Sequence, residues 1–244
     1  MKYERIERAT FLERPNRFIA YARIAGKQET IHVKNTGRCA ELLVPEAEIF
    51  VQESDNPERK TKWDLIGVRK GDRLINTDSQ IPNKVVEEWL RAGNLFLEPV
   101  AVRPETTYGN SRFDFYVESG ETKAFIEVKG VTLEEDGVVR FPDAPSERAV
   151  KHVEELIRAK KEGYDAYVFL VIQMKGVRYF TPNMDTQPEF GEVLKKAKAA
   201  GVKILAYDCQ VTEDSIKIDE EVPVVLENPI LWETVDPIRS EERR

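Results

Sequence analysis

Phe113-Asp-Phe-Tyr-Val117 and Ala124-Phe-Ile-Glu-Val-Lys129 are joined by the polar turn Glu118-Ser-Gly-Glu-Thr-Lys123. Both runs are rich in aromatic and branched residues that suit a pleated surface, so they read as adjacent strands. Downstream, Ser146 to Lys161 places Val150, Val153, Leu156 and Ile157 on one helical face, with Gly163 as the stop. Asp165-Ala-Tyr-Val-Phe-Leu-Val-Ile172 is almost continuously apolar, the pattern of a strand covered on both faces. A second helix over Pro188–Ala200 leads into the strand Val202-Lys-Ile-Leu-Ala-Tyr207. Strand–helix–strand–helix–strand predicts a three-layer α/β sheet domain.

Upstream the rhythm changes. Asn83-Lys-Val-Val-Glu-Glu-Trp-Leu-Arg-Ala-Gly93 reads as a short amphipathic helix. Before it come short β runs divided by turns: Phe18–Ala25, a turn at Gly26, Glu29–Lys34, Glu48–Gln52 and Lys62–Val68. Several short strands in so little chain predict a small barrel, OB-like in first place, although the pattern alone also admits an SH3-like barrel. The chain is therefore divided into a barrel over residues 1–82 and an α/β domain over 83–244. Its last part, after Trp232, has little with which to build a core.

Of the 244 residues, 41% are hydrophobic and 33% charged, as in a water-soluble globular protein, and that charge density suits ion-pair networks of the kind that matter most at high temperature. No apolar run approaches the roughly 20 residues of a membrane span. The charged start Met1-Lys-Tyr-Glu-Arg is unlike a signal peptide. Cys39 and Cys209 are far apart with no metal-ligand spacing, which suggests reduced thiols and a cytoplasmic location. A net charge of −7 argues against a nucleic-acid partner only at first sight. Residues 1–82 hold 15 Lys/Arg against 13 Asp/Glu, whereas residues 212–244 hold 4 against 10. The acidity is concentrated at the C-terminal end, and a local basic surface is compatible with the composition.

Side chains alternate across a strand, so Glu127 and Lys129 share one face, and a neighbouring strand that carries Asp114 brings three ionisable groups together. Glu-x-Lys alone is a weak signal, for the chain contains Glu58-Arg-Lys60 and Glu121-Thr-Lys123 as well. Only Glu127-Val-Lys129 lies inside an apolar strand with an Asp-bearing strand just before it. Carboxylates beside an apolar sheet need a compensating charge, and a hard divalent cation such as Mg²⁺ or Mn²⁺ supplies one, completing its shell with water and phosphate oxygens. Lys129 is placed to orient an attacking water, which points to phosphodiester hydrolysis. The bland alternative is a salt bridge between Glu127 and Lys129 that contributes little.

The same residues carry a wider resemblance. His32-Val-Lys-Asn-Thr-Gly-Arg38, Glu41-Leu-Leu-Val-Pro45, Tyr108-Gly-Asn-Ser-Arg-Phe-Asp-Phe115, Glu127-Val-Lys-Gly-Val-Thr-Leu133, Phe141-Pro-Asp-Ala-Pro-Ser-Glu-Arg148 and Lys151-His152 resemble the sugar fermentation stimulation protein A family. The resemblance implies an N-terminal OB-like domain and a C-terminal restriction-endonuclease-like, PD-(D/E)xK nuclease-like domain, with DNA or RNA as ligand. Position by position, it implies Asp114 and Glu127 as metal ligands, Lys129 as the catalytic lysine and the Val128 carbonyl as a further ligand. Cys39, Gly130 and Ala149 depart from the pattern, and none of them removes a carboxylate or the lysine.

The turn Asn35-Thr-Gly37, between His32 and Arg38, reads as an ordinary hairpin turn or as a phosphate-holding loop. The resemblance moves His32, Asn35, Thr36 and Arg38 towards nucleic-acid binding, with Arg112 two residues before Asp114. Arg148 and His152 stand i, i+4 on the helix face opposite Val150, Val153 and Ile157, either solvated or turned towards a scissile phosphate. Tyr3, Phe18, Tyr21 and Trp63 are core residues or base-stacking platforms. Glu87 and Glu88 offer further acidic groups. Two functions stay open: a metal-dependent nuclease and a non-catalytic DNA-binding regulator linked to sugar metabolism. A sugar-acting enzyme is remote, because Lys129 adjoins the carboxylates and no aromatic sugar platform does.

Overall fold

Alternating burial builds the first half of the chain. Strands β1 (Ile6–Glu13), β2 (Ile19–Ile24), β3 (Lys27–Val33), β4 (Glu48–Glu53), β5 (Trp63–Lys70) and β6 (Arg73–Asn76) form one sheet in the order β3-β2-β1-β4-β5-β6. Ala25 and Gly26 turn β2 into β3 with φ of 48° and 81°, as a two-residue hairpin requires. Parallel pairing of β3 with β5, from Ile31↔Trp63 to Val33↔Leu65, closes five of these strands on themselves. That closure is the OB arrangement and settles the choice between barrels. Phe11, Ala22, Ile31, Ile49, Val51 and Leu65 fill the interior. In this computed structural model the described residues are 1–35, 37–96 and 101–227, so Thr36 and the C-terminal stretch beyond Glu227 lie outside them.

Helix α1 (Ile81–Arg91) follows. It starts two residues before the sequence reading placed it, because Pro82 fits the first helical turn, where its missing N–H is no loss. The second half then runs β7 (Ala101–Tyr108), β8 (Ser111–Ser119), β9 (Thr122–Val131), β10 (Leu133–Glu135), β11 (Val138–Phe141), α2 (Glu147–Lys161), β12 (Asp165–Ile172), β13 (Tyr179–Pro182), α3 (Pro188–Ala199), β14 (Lys203–Val211) and β15 (Ile216–Glu221). Six of these strands form a mixed sheet, β15-β14-β12-β9-β8-β7, with β9, β12 and β14 parallel. Val153, Leu156, Phe190 and Leu194 of α2 and α3 share a core with Phe125, Val168 and Leu170. Val85, Val86 and Leu90 of α1 share another with Phe115, Ile126 and Phe169. Helices cover both faces, as the three-layer expectation required.

Barrel and α/β domain meet through polar groups that fix the entry to α1. Gln173 Nε2 donates to Asn76 O at 3.1 Å, Asn76 Oδ1 at 3.0 Å and Asp78 O at 3.1 Å. Glu134 accepts from Lys70 Nζ at 2.9 Å and pairs with Arg73 Nη1 at 2.7 Å. Asn76, Asp78, Glu134 and Gln173 are all buried, so these bonds form away from competing water.

Candidate active site

Asp114 sits where the β8–β9 ladder stops. The register runs from Ser119↔Thr122 to Phe115↔Ile126. Beyond it the Val128 N–H donates to Asp114 Oδ2 at 2.7 Å instead of to a backbone carbonyl of β8. Glu127, only 2% exposed, accepts from Lys129 Nζ and from His152 Nδ1 (2.5 Å) on the same oxygen, Oε1. Its other oxygen, Oε2, is buried with no hydrogen-bond partner among the described residues. Asp114, Glu127, Val128 and Lys129 line one cavity of about 480 Å³, with Asn83, Lys84 and Glu87 of α1 and Arg148 at the start of α2. The three ionisable groups read from the sequence thus converge, and the bland Glu127–Lys129 ion pair is present as well.

The two carboxyl groups are driven apart in acidity. Burial and the neighbouring Glu127 push Asp114 above the ordinary carboxylate range, against the opposing Val128 N–H, Lys129 and Asn83. Burial pushes Glu127 up too, but the His152 hydrogen bond and the Lys129 ammonium together hold it below its ordinary value. An orphaned buried carboxylate oxygen beside a second carboxylate costs free energy unless a cation neutralises it. The donor set therefore fits a hard divalent ion.

His152 corrects the sequence reading. The buried stripe of α2 is Ala149, His152, Val153, Leu156 and Ala159, whereas Val150 and Ile157 are half-buried. His152 lies on the covered side, 6% exposed against Glu127, and not on a face opposite Val153. Arg148 is exposed at the cavity and donates from Nε to His152 Nε2 at 3.4 Å. Glu87 lines the cavity while bonded to Arg91, and Glu88 holds the Met1 amino group at 2.8 Å. Asn83 escaped the sequence reading, since a polar residue in a first helical turn carries no signal of what it faces.

The sequence model described as "Sugar fermentation stimulation protein RE domain" matches residues 80–215, and that described as "SfsA N-terminal OB domain" matches residues 12–77. The chain belongs to the sugar fermentation stimulation protein A family. A sugar fermentation stimulation protein homolog of Clostridium beijerinckii is 61% identical over 226 residues, covering 93% of this chain and all of the relative. One from Desulfitobacterium hafniense is 60% identical, with 93% and 99% covered. The structure of Pyrococcus furiosus SfsA in complex with Ca²⁺ superposes with a TM-score of 0.81 at 28% identity, covering 92% of this chain and 98% of that one.

In this family member the barrel residues read from the sequence are placed less favourably for phosphate. His32 Nδ1 lies 3.0 Å from Asp64 Oδ1, and Arg59 clamps the same carboxylate at 2.7 and 2.9 Å. In the turn after β3, the Gly37 N–H is taken by Asn35 Oδ1 (2.8 Å) and the Cys39 N–H by Asp143 Oδ2 (2.9 Å). Arg14, which the sequence reading passed over, binds the carbonyls of Arg17, Asn35, Gly37 and Arg38 at 2.7–2.9 Å. Among the described residues of this turn, the Gly37 and Cys39 N–H groups are thus already taken, and Arg38 presents an exposed cationic side chain. Arg112 is exposed and 3.5 Å from Glu105. Tyr3 and Trp63 are buried and Tyr21 is half-buried, whereas Phe18 is 47% exposed with the Arg17 guanidinium 4.8 Å from its ring centroid. A second acidic group, Asp208, Asp219 and Glu220, surrounds Lys175, whose single ammonium pairs with all three carboxylates and offsets part of their charge. Among the described residues no helix is long and apolar enough to cross a membrane.

Proposed function

We propose that this chain binds DNA or RNA and hydrolyses phosphodiester bonds with a divalent cation, Mg²⁺ or Mn²⁺, held by Asp114, Glu127 and the Val128 carbonyl. The observation that carries the reading is the buried Glu127 Oε2, which lacks a partner among the described residues while Asp114 lines the same cavity. The Ca²⁺ complex of the Pyrococcus furiosus relative supports a cation in this fold. When bound, the ion supplies charge neutralisation for a phosphate and lowers the pKa of water. Lys129 carries a positive charge on the same strand, where it orients the attacking water. Arg148, exposed at the cavity mouth, stabilises charge that builds on the phosphate. Arg17, Phe18 and Arg38 on the barrel extend the contact along the strand. The cytoplasm suits a chain whose two cysteines are buried and unbridged.

Single- and double-stranded DNA and RNA, incubated with the protein with and without Mn²⁺, test the proposal. Cleavage should require the ion and disappear in Glu127→Gln and Lys129→Ala. Product that persists in both variants sinks the assignment. The second reading, a non-catalytic DNA-binding regulator linked to sugar metabolism, draws on the Lys129–Glu127 ion pair, in which each charge already has its partner. Binding that ignores chelator, with no cleavage of any substrate, favours it.

A further inference from the structure

Glu127 uses its two oxygens unequally. Both donors, Lys129 Nζ and His152 Nδ1, converge on Oε1, while Oε2 is buried and receives none from the described residues. Lys129 stands on the same strand as Glu127, at the end of a flexible four-carbon stem. His152 is different in kind. It is a rigid ring, 6% exposed, packed near Phe113 (centroids 6.4 Å apart) and projecting from a different element, α2.

Hydrogen-bond chemistry also fixes which ring nitrogen carries the proton. A guanidinium Nε only donates. Arg148 Nε lies 3.4 Å from His152 Nε2, so Nε2 accepts and the ring hydrogen sits on Nδ1, where it is donated to Glu127 Oε1 over 2.5 Å. The bonds then run one way: Arg148 to His152 to Glu127.

We propose that His152 and Arg148 are positioning residues. Arg148 holds His152 in the Nδ1–H tautomer, and His152 fixes the rotation of the Glu127 carboxylate so that Oε2 is kept free for a cation. The inference rests on the cation reading above and changes the part His152 plays. Being buried, His152 acts through Glu127 and does not touch nucleic acid, whereas Arg148 stays exposed at the cavity. Outer partners of metal ligands commonly govern affinity in this way.

Two measurements on the full chain test this. The first is calorimetric titration with Mn²⁺ alone, on the wild type, Asp114→Asn, His152→Asn and His152→Phe. The amide nitrogen of asparagine branches where Nδ1 does and keeps a donor, whereas phenylalanine keeps the ring and loses it. Affinity should stay within about threefold in His152→Asn and fall about tenfold or more in His152→Phe. The second is long-range ¹H–¹⁵N correlation of the imidazoles in chelator, where His32→Gln assigns the two histidines. It should show His152 protonated on Nδ1 in the wild type and a mixture of tautomers in Arg148→Ala. Wild-type affinity in His152→Phe, or an Nε2–H tautomer in the wild type, overturns the inference and leaves the cation site standing. A wild type that binds no Mn²⁺ overturns the cation reading and the inference together, whatever the tautomer.

Discussion

Asn83 donates its amide to Asp114 at 2.8 Å and so ties the first turn of α1 to strand β8. The other Asp114 oxygen holds the Val128 N–H of β9, which puts three elements under the control of one carboxylate. Burial and Glu127 together disfavour its charge, so without a cation the ionised Asp114 costs stability at neutral pH. Asp114→Asn keeps an acceptor for Val128, and Asn83 can turn its amide over to accept from the new NH₂. The variant should therefore unfold at the same or a higher temperature than the wild type in chelator. It should also lose the rise in Tm that Mn²⁺ gives the wild type. Thermal unfolding with and without the ion checks both, and a variant that Mn²⁺ stabilises as much as the wild type counts against Asp114 as a ligand.

Glu134 joins the two domains with its carboxylate 4% exposed, between Lys70, Arg73 and the Gly137 N–H. Burial raises its pKa, but these three donors outweigh burial and hold it below its ordinary value. Asp64 is likewise depressed against burial, by Arg59, His32 and Lys34. A depressed carboxyl stabilises the fold at pH values above its unfolded pKa, and that stabilisation is lost as the pH falls through the folded one. Urea unfolding should thus show full stability above about pH 5 and a decline below about pH 4. Glu134→Gln should cost about 3 kcal/mol at pH 7, at the low end for a broken buried pair because Lys70 and Arg73 can still reach water. It should also flatten the acid decline; an equally steep decline in the variant refutes this part for Glu134.

Those ion pairs were not legible in the sequence, and the reason is general. Strand β12 and helix α2 announced themselves because burial on two faces, or on one stripe, leaves apolar residues at a fixed period. Edge and short strands leave no such trace. β7 (Ala-Val-Arg-Pro-Glu-Thr-Thr-Tyr) buries little besides Val102, and β15 ends in Asp219-Glu-Glu221, so neither carries a strand signature in the sequence. At the site, Asp114, Glu127 and Lys129 stood out as charges inside apolar strands, where only a partner or an ion makes them tolerable. The i, i+4 spacing of Arg148 and His152 was visible too, but their orientation was not. The phase of α2 is set by Ala149 and Ala159, small residues that weigh little in a hydrophobic pattern yet fill the interface completely.

Gly130 stands next to Lys129 on β9. A Cβ there would stand 2.8 Å from Pro82 Cγ and closer still to Gln173 Oε1. Gln173 cannot easily yield, because its amide holds Asn76 and Asp78. Gly130→Ala should therefore push α1 away from β9 and cost about 1–3 kcal/mol, as overpacking does. Pro82 adjoins Asn83, so Mn²⁺ affinity should weaken with the stability. Unchanged urea midpoint and unchanged affinity would show that the interface gives way freely.

Phe18 stands 47% exposed on the barrel, and the Arg17 guanidinium near its ring holds it in an electropositive setting. An exposed aromatic ring with a guanidinium over it suits single-stranded nucleic acid as OB barrels receive it: a base stacks against the ring and guanidinium, and its phosphate meets the charge. Tyr3 and Trp63 have no such role open to them, because both are buried. Phe18→Ala should leave the unfolding midpoint nearly unchanged, within about 0.5 kcal/mol, since an exposed side chain contributes little to the fold. The same change should weaken binding of a fluorescent single strand by about tenfold, consistent with ~1–3 kcal/mol for one stacked base. Duplex binding should change less, because paired bases keep their faces stacked on one another. Fluorescence anisotropy with Glu127→Gln as the background separates binding from cleavage. Equal loss on single strand and duplex would make Phe18 a general contact and not a stacking platform, and no loss on either would remove it from the interface.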